Sequence, residues 1–284
     1  MKKKKLVLRK PVIITFIVIF LILGISANYK LLKWNMDTKK TDDLINKINE
    51  NNNIMEVTDN ENTIKVNPPD EKINKDNPYW DYMKMNLIDV NFTDIKKKNN
   101  DVVGWIQVSG TNINYPFVQT TDNTYYLTKD INKNNNSAGW VFMDYRNNIK
   151  DFDKNTILYA HSRVNGTMFG SLKNIMNNDW YNNKLNHVIK LSTEYENTLW
   201  QVFSVYITPV VNDYIQIEFN NSDRYLEFLN MIQKRSAYTF DVSLNNLDKI
   251  LTLSTCYNDN ERVVMHAKLI KMEVKNGRNW YFKK

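Results

Sequence analysis

Residues 12–27 carry no charged side chain, and only Thr15 and Ser26 interrupt an otherwise apolar run. As a helix, sixteen residues rise about 24 Å at 1.5 Å each. Pro11 on one side and Asn28 and Tyr29 on the other can extend that into the interface of a ~30 Å hydrocarbon core. Such a run divides the chain into a short leading tail and a long body. Lys2, Lys3, Lys4, Lys5, Arg9 and Lys10 lie before it. Basic residues ahead of an apolar span hold the N-terminus inside and send the body out. The sequence therefore predicts a basic cytoplasmic tail over 1–11, a transmembrane signal-anchor over 12–28 and an extracellular body. A cleaved leader is the alternative, with Ile25-Ser26-Ala27 as a mediocre processing site; the body is exported in either case.

The charge balance fits this division. Lys and Arg number 38 against 31 Asp and Glu, a net +7. Six of the basic residues are on the tail, which leaves 32 against 31 for the rest. A nucleic-acid binder carries its basic stripe on the folded domain, so no nucleic-acid partner is expected. An apolar content of 42% excludes wholesale disorder.

From residue 29 to 78 the chain is rich in Asn, Lys, Asp and Glu, and Pro68-Pro69 breaks regular structure. This predicts a polar stalk, with one short amphipathic helix around Leu44, Ile45 and Ile48. The composition turns aromatic at Pro78-Tyr79-Trp80, so the folded domain is expected over 79–284. Short helices are expected at 79–86 and 93–99. Strands are expected at 102–108, 113–118, 139–144, 156–161, 188–192, 198–210, 249–255 and 262–272. A helix over 222–235 places Tyr225, Leu229 and Ile232 on one face, with Ser222 as its N-cap. Many short strands with few helices point to a mostly-β barrel or sandwich.

The single cysteine, Cys256, closes the strand Leu251-Thr252-Leu253-Ser254-Thr255-Cys256. A polar turn follows, and Arg262 opens the next strand. The pattern predicts a hairpin with thiol and guanidinium on neighbouring strand ends, where the cation can hold an oxyanion. A buried core cysteine is the plainer alternative. His161 ends the apolar strand Thr156-Ile157-Leu158-Tyr159-Ala160. Of the other two histidines, His187 follows an Asn-rich loop and is expected at the surface, and His266 lies mid-strand and is expected to be structural. Cys, His and Arg on separate strand ends make a set for nucleophilic acyl transfer. One Cys and three scattered His are not in ligand spacing, so no cofactor and no transition metal are expected, although loop carboxylates could take calcium.

These segments resemble the class B sortases. Leu251 to Cys256 is similar to the cysteine strand of that family, Tyr159-Ala160-His161-Ser162 to its histidine strand end, and Arg262-Val263-Val264 to its arginine strand. Class B in particular is resembled by Gly104-Trp105-Ile106, Tyr115-Pro116-Phe117-Val118-Gln119 and Asp122-Asn123 with Tyr125-Tyr126-Leu127. Asp144-Tyr145-Arg146-Asn147 and Met168-Phe169-Gly170-Ser171-Leu172 are similar to that class too. The resemblance implies an eight-stranded sortase β-barrel with short N-terminal helices and a helix before the cysteine strand. It implies a cysteine transpeptidase in which Cys256 attacks the Thr carbonyl of a sorting signal of Asn/Ser-Pro-x-Thr type. His161 then serves as acid and base, Arg262 holds substrate and oxyanion, and Ser254 lines the substrate groove. The implied partners are surface proteins bearing a C-terminal sorting signal, a peptidoglycan amine acceptor, and the membrane through the N-terminal helix. Two departures stand out: only six positions separate Cys256 from Arg262, shorter than in many members, and Ala160 stands where Gly is common. Another exported cysteine acyl-transferase or peptidase, or a non-enzymatic surface-binding domain, is the alternative function.

Overall fold

Leu251, Leu253, Val263, Met265 and Ala267 fall at alternate positions on one face of two adjacent strands, and all five are fully buried. This period of two lines the interior of a closed sheet. In the computed structural model, residues 10–51, 54–69 and 76–275 are described; the basic tail over residues 1–9 lies outside them.

In chain order the elements are α1 (Lys10–Asn51), β1 (Ile54–Val57), β2 (Thr63–Lys65), α2 (Tyr79–Tyr82), β3 (Leu87–Val90), α3 (Thr93–Lys98), β4 (Val102–Val108) and β5 (Asn114–Val118). Then follow β6 (Phe142–Met143), β7 (Asn155–Tyr159), α4 (Asn178–Asn182), β8 (Val188–Thr193), β9 (Glu196–Pro209), α5 (Ser222–Lys234), β10 (Ile250–Cys256) and β11 (Glu261–Val274). The sheet runs β10-β7-β6-β5-β4-β8-β9-β11, and β11 pairs again with β10. That second pairing closes an eight-stranded barrel, with β2 added to the far end of β11.

The helix α1 is continuous, so the short helix expected around Leu44 is part of a longer one. It contains a stretch long and apolar enough to cross a membrane, and Phe20 and Ile25 on it are exposed. Among the described residues, those up to Leu44 form one unit and those from Ile45 onward a second.

Within the second unit, β1 and β2 correct the expectation of a stalk reaching residue 78. Ile54 to Val57 pairs with β3, and Thr63 to Lys65 pairs with Glu273 to Lys271. The buried ammonium of Lys271 donates to the Met83 and Met85 carbonyls at 2.9 and 2.7 Å and reaches Asp59 at 2.5 Å. Strands of three or four residues, with three apolar side chains in β1 and one in β2, are too short to show a periodicity. Their stability comes from pairing, β1 with β3 and β2 with the edge of β11, not from local propensity.

Outside the barrel, α5 lays Tyr225, Phe228, Leu229 and Ile232 against Ile250, Val264, Phe203 and Tyr206. Its N-cap is Asn221, not Ser222: the Asn221 side chain accepts from the Arg224 amide at 2.9 Å, and its backbone is extended. Either residue type can cap, and the helix begins one residue earlier than expected.

Candidate active site

Register builds the site. β10 and β11 are antiparallel, with Cys256 opposite Arg262. β10 and β7 are parallel, with Ser254 opposite Tyr159. Continuing that register by two residues sets Cys256 in step with His161, and Thr255 donates its hydroxyl to the Ala160 carbonyl at 2.8 Å. Thiol, imidazole and guanidinium thus arrive at one rim from three adjoining strand ends. All three residues are half-buried, whereas Leu251 to Thr255 are buried. The rim position excludes the plainer possibility of a core cysteine. Ala160 is not among the residues with positive φ, so its methyl group is accommodated where Gly is common.

His161 is held on both sides. Its carbonyl accepts from the Phe169 amide at 3.0 Å, and Ser162 bridges to Met168. Its ring Nε2 lies 2.8 Å from the Leu127 carbonyl oxygen. Arg262 donates from Nη1 to the adjacent Glu261 carbonyl at 3.1 Å.

On the same face of β10, Ser254 is buried and its Oγ lies 2.9 Å from the Tyr214 hydroxyl. Burial raises the Tyr214 phenol above its ordinary value, opposed by the Ser254 hydrogen bond and the nearby Arg262 charge. Sequence reasoning misses Tyr214, which sits in a loop of no regular pattern. Next to it, Arg146 donates to the Ile215 carbonyl at 3.1 Å and pairs with the buried carboxylate of Asp144 at 2.7 Å. Tyr159 donates to the same carboxylate at 3.0 Å. The Asp144 to Asn147 segment therefore braces the loop that carries Tyr214.

The other two histidines are elsewhere. His266 is fully buried between Thr252 and Tyr206, at 2.8 and 2.9 Å. Burial, reinforced by the Arg235 charge, pushes its pKa down to about 3, so it is neutral at ordinary pH. The surface position expected for His187 is wrong: it is buried among Trp180, Tyr181 and Phe240, and its Nε2 lies 2.8 Å from the Tyr181 carbonyl oxygen. An Asn-rich loop ahead of a strand hid the aromatic cluster that covers it.

A family model for the sortase domain matches residues 106–270. Sortase B of Staphylococcus aureus is 37% identical over 185 residues, covering 64% of this chain and 75% of that one. A crystal structure of sortase B from B. anthracis in complex with AAEK1 is 40% identical, with a TM-score of 0.59 over 63% of this chain and 84% of the other. A sortase B complexed with triglycine is 37% identical, with a TM-score of 0.60 over 63% and 85%. The barrel and the rim define a cysteine transpeptidase fold, and the chain belongs to the sortase family, within its sortase B group.

Proposed function

We propose that Cys256, His161 and Arg262 carry out the transpeptidation. The observation that supports this most is that Cys256 is paired to Arg262 and that its strand runs parallel to the one leading into His161, with Thr255 bonded to the Ala160 carbonyl. The Cys256 thiol gives its proton to His161, and the sulfur attacks the Thr carbonyl of a sorting signal of Asn/Ser-Pro-x-Thr type. Arg262 stabilises the oxyanion. The C–N bond breaks as imidazolium protonates the leaving amine, and a thioacyl enzyme remains. An acceptor amine then attacks, gives its proton to His161, and releases the thiolate. The acceptor we favour is an amine of cell-wall peptidoglycan; the relative bound to triglycine supports an amine ligand of that kind. Ser254 lines the groove through its bond to Tyr214.

The chain is proposed to be anchored by residues 12–28 with the catalytic unit outside the cell, acting on surface proteins that bear a C-terminal sorting signal. The apolar stretch of α1 and the basic residues ahead of it support this. The test is cleavage of sorting-signal peptides by the full chain in detergent, with and without an added amine. Cleavage after Thr, lost in Cys256→Ala, is the expected result. Equal cleavage by Cys256→Ala would overturn the proposal.

A further inference from the structure

The segment Asp122 to Leu127 is a built structure with no role in the chemistry given so far. The Asp122 carboxylate accepts from the Thr124 and Tyr125 amides at 2.6 and 2.7 Å, which winds residues 125–127 into a single 3₁₀ turn. Tyr126 is buried; its hydroxyl donates to Asp101 at 2.8 Å and accepts from Asn99 at 2.8 Å. The Trp140 amide donates to the Tyr126 carbonyl at 2.9 Å. The turn is pinned at its start, its middle and its far side, and its last carbonyl, that of Leu127, lies 2.8 Å from His161 Nε2.

Gly139 makes this approach possible. Its φ is +61°, a region side chains disfavour. A methyl group there would collide with the Tyr126 carbonyl oxygen and would lie 3.0 Å from Leu127 O and 3.1 Å from His161 Cδ2. The close packing of the Gly139 backbone therefore lets turn and imidazole meet.

A carbonyl oxygen can only accept a hydrogen bond, so the ring nitrogen facing it must carry a proton. We infer that the Leu127 carbonyl holds His161 as the Nε2–H tautomer, leaving Nδ1 as the nitrogen that exchanges protons with the thiol, the leaving amine and the acceptor amine. This rests on the proposed role of His161 as acid and base. The Nε2–H bond persists through the cycle: in imidazolium both nitrogens are protonated, and only the Nδ1 proton moves. The same contact fixes the ring's orientation as well as its tautomer. Leu127 and Gly139 are positioning residues.

The test is nitrogen NMR of the full chain in detergent, labelled at histidine, above the pH at which His161 is protonated. The expected result is an Nε2–H signal for His161, with no proton on Nδ1. An Nδ1–H tautomer would overturn the inference. Gly139→Ala should mix the two tautomers and lower kcat by about 10²-fold with KM little changed, since small misplacements of a reacting group cost that much. A Gly139→Ala protein with wild-type tautomer and kcat would also overturn it. His161→Ala separates the two levels: retained activity there would remove the acid–base role itself, whereas lost activity with the wrong wild-type tautomer would remove only the assignment of Nδ1.

Discussion

Cys256 and Arg262 are register partners across the β10–β11 hairpin, joined by a turn in which the Tyr257 amide donates to the Glu261 carbonyl at 2.9 Å. The short loop noted in the sequence therefore brings the two side chains opposite each other instead of separating them. Directly opposed residues in an antiparallel pair have Cβ atoms about 4.5–5.5 Å apart. Arg262→Ala should lower kcat/KM for peptide cleavage by roughly 10²–10³, the cost of one oxyanion donor. Arg262→Lys should recover little of it, since an ammonium lacks the planar fork. Thermal melts should move little, because Arg262 is half-buried at a strand end. Wild-type activity in Arg262→Ala would contradict its role.

The histidines separate by burial. His161→Ala should cost roughly 10²–10⁴ in rate by loss of general acid–base catalysis. His266→Ala should lower the melting temperature, since it leaves the Tyr206 and Thr252 hydroxyls facing a cavity in the buried layer beneath α5. Protein that remains folded should keep its activity per molecule. The reverse outcome, an active His161→Ala and a folded but inactive His266→Ala, would move the acid–base role to His266.

Stability should fall in acid for a stated reason. His266 has its pKa lowered to about 3 by burial, and His187 is lowered in the same direction. Both are neutral in the fold and charge more readily unfolded. The contribution of each is present above the unfolded value of about 6.5 and is lost as pH falls from there toward the folded value; for His266 the loss is about 1.4 kcal/mol per pH unit, and His187 adds to it in the same direction. Denaturant midpoints measured from pH 7 to pH 4 should show this, with a shallower slope in His266→Gln. An unchanged slope in that variant would assign the acid sensitivity to other groups.

Tyr214→Phe tests the contact between Tyr214 and Ser254. It removes the partner of Ser254 and leaves a buried hydroxyl unpaired. A stability loss of about 1–3 kcal/mol is expected, with a rise in KM for the sorting-signal peptide. A variant with unchanged melting temperature and KM would place Ser254 outside substrate recognition.

What the sequence disclosed follows from how physics is written in it. The amphipathic face of α5 repeats with a period that its burial confirms, whereas the hairpin strands that lead to and from the Cys256 turn are recognised by their β-branched and apolar runs and are buried on both faces. The proposed site residues Cys256, His161 and Arg262 stand out in the sequence because each carries reactive chemistry in its side chain. β1 and β2 were not visible, since their partners lie far away in sequence on β3 and β11. Nor was the Leu127 carbonyl, because every residue has one and only the fold decides which faces a histidine. The helix expected over 79–86 shrank to Tyr79–Tyr82 because Leu87 onward pairs with β1.

The central claim is a thioacyl enzyme on Cys256, and intact-protein mass spectrometry tests it most directly. The full chain in detergent is mixed with a sorting-signal peptide of Asn-Pro-x-Thr type, without an amine acceptor, and quenched in acid. The account predicts an added mass equal to the peptide's portion up to and including Thr, mapped to Cys256 and discharged by a glycine peptide amine. Cleavage after Thr with no adduct on Cys256, and with Cys256→Ala equally active, would contradict it.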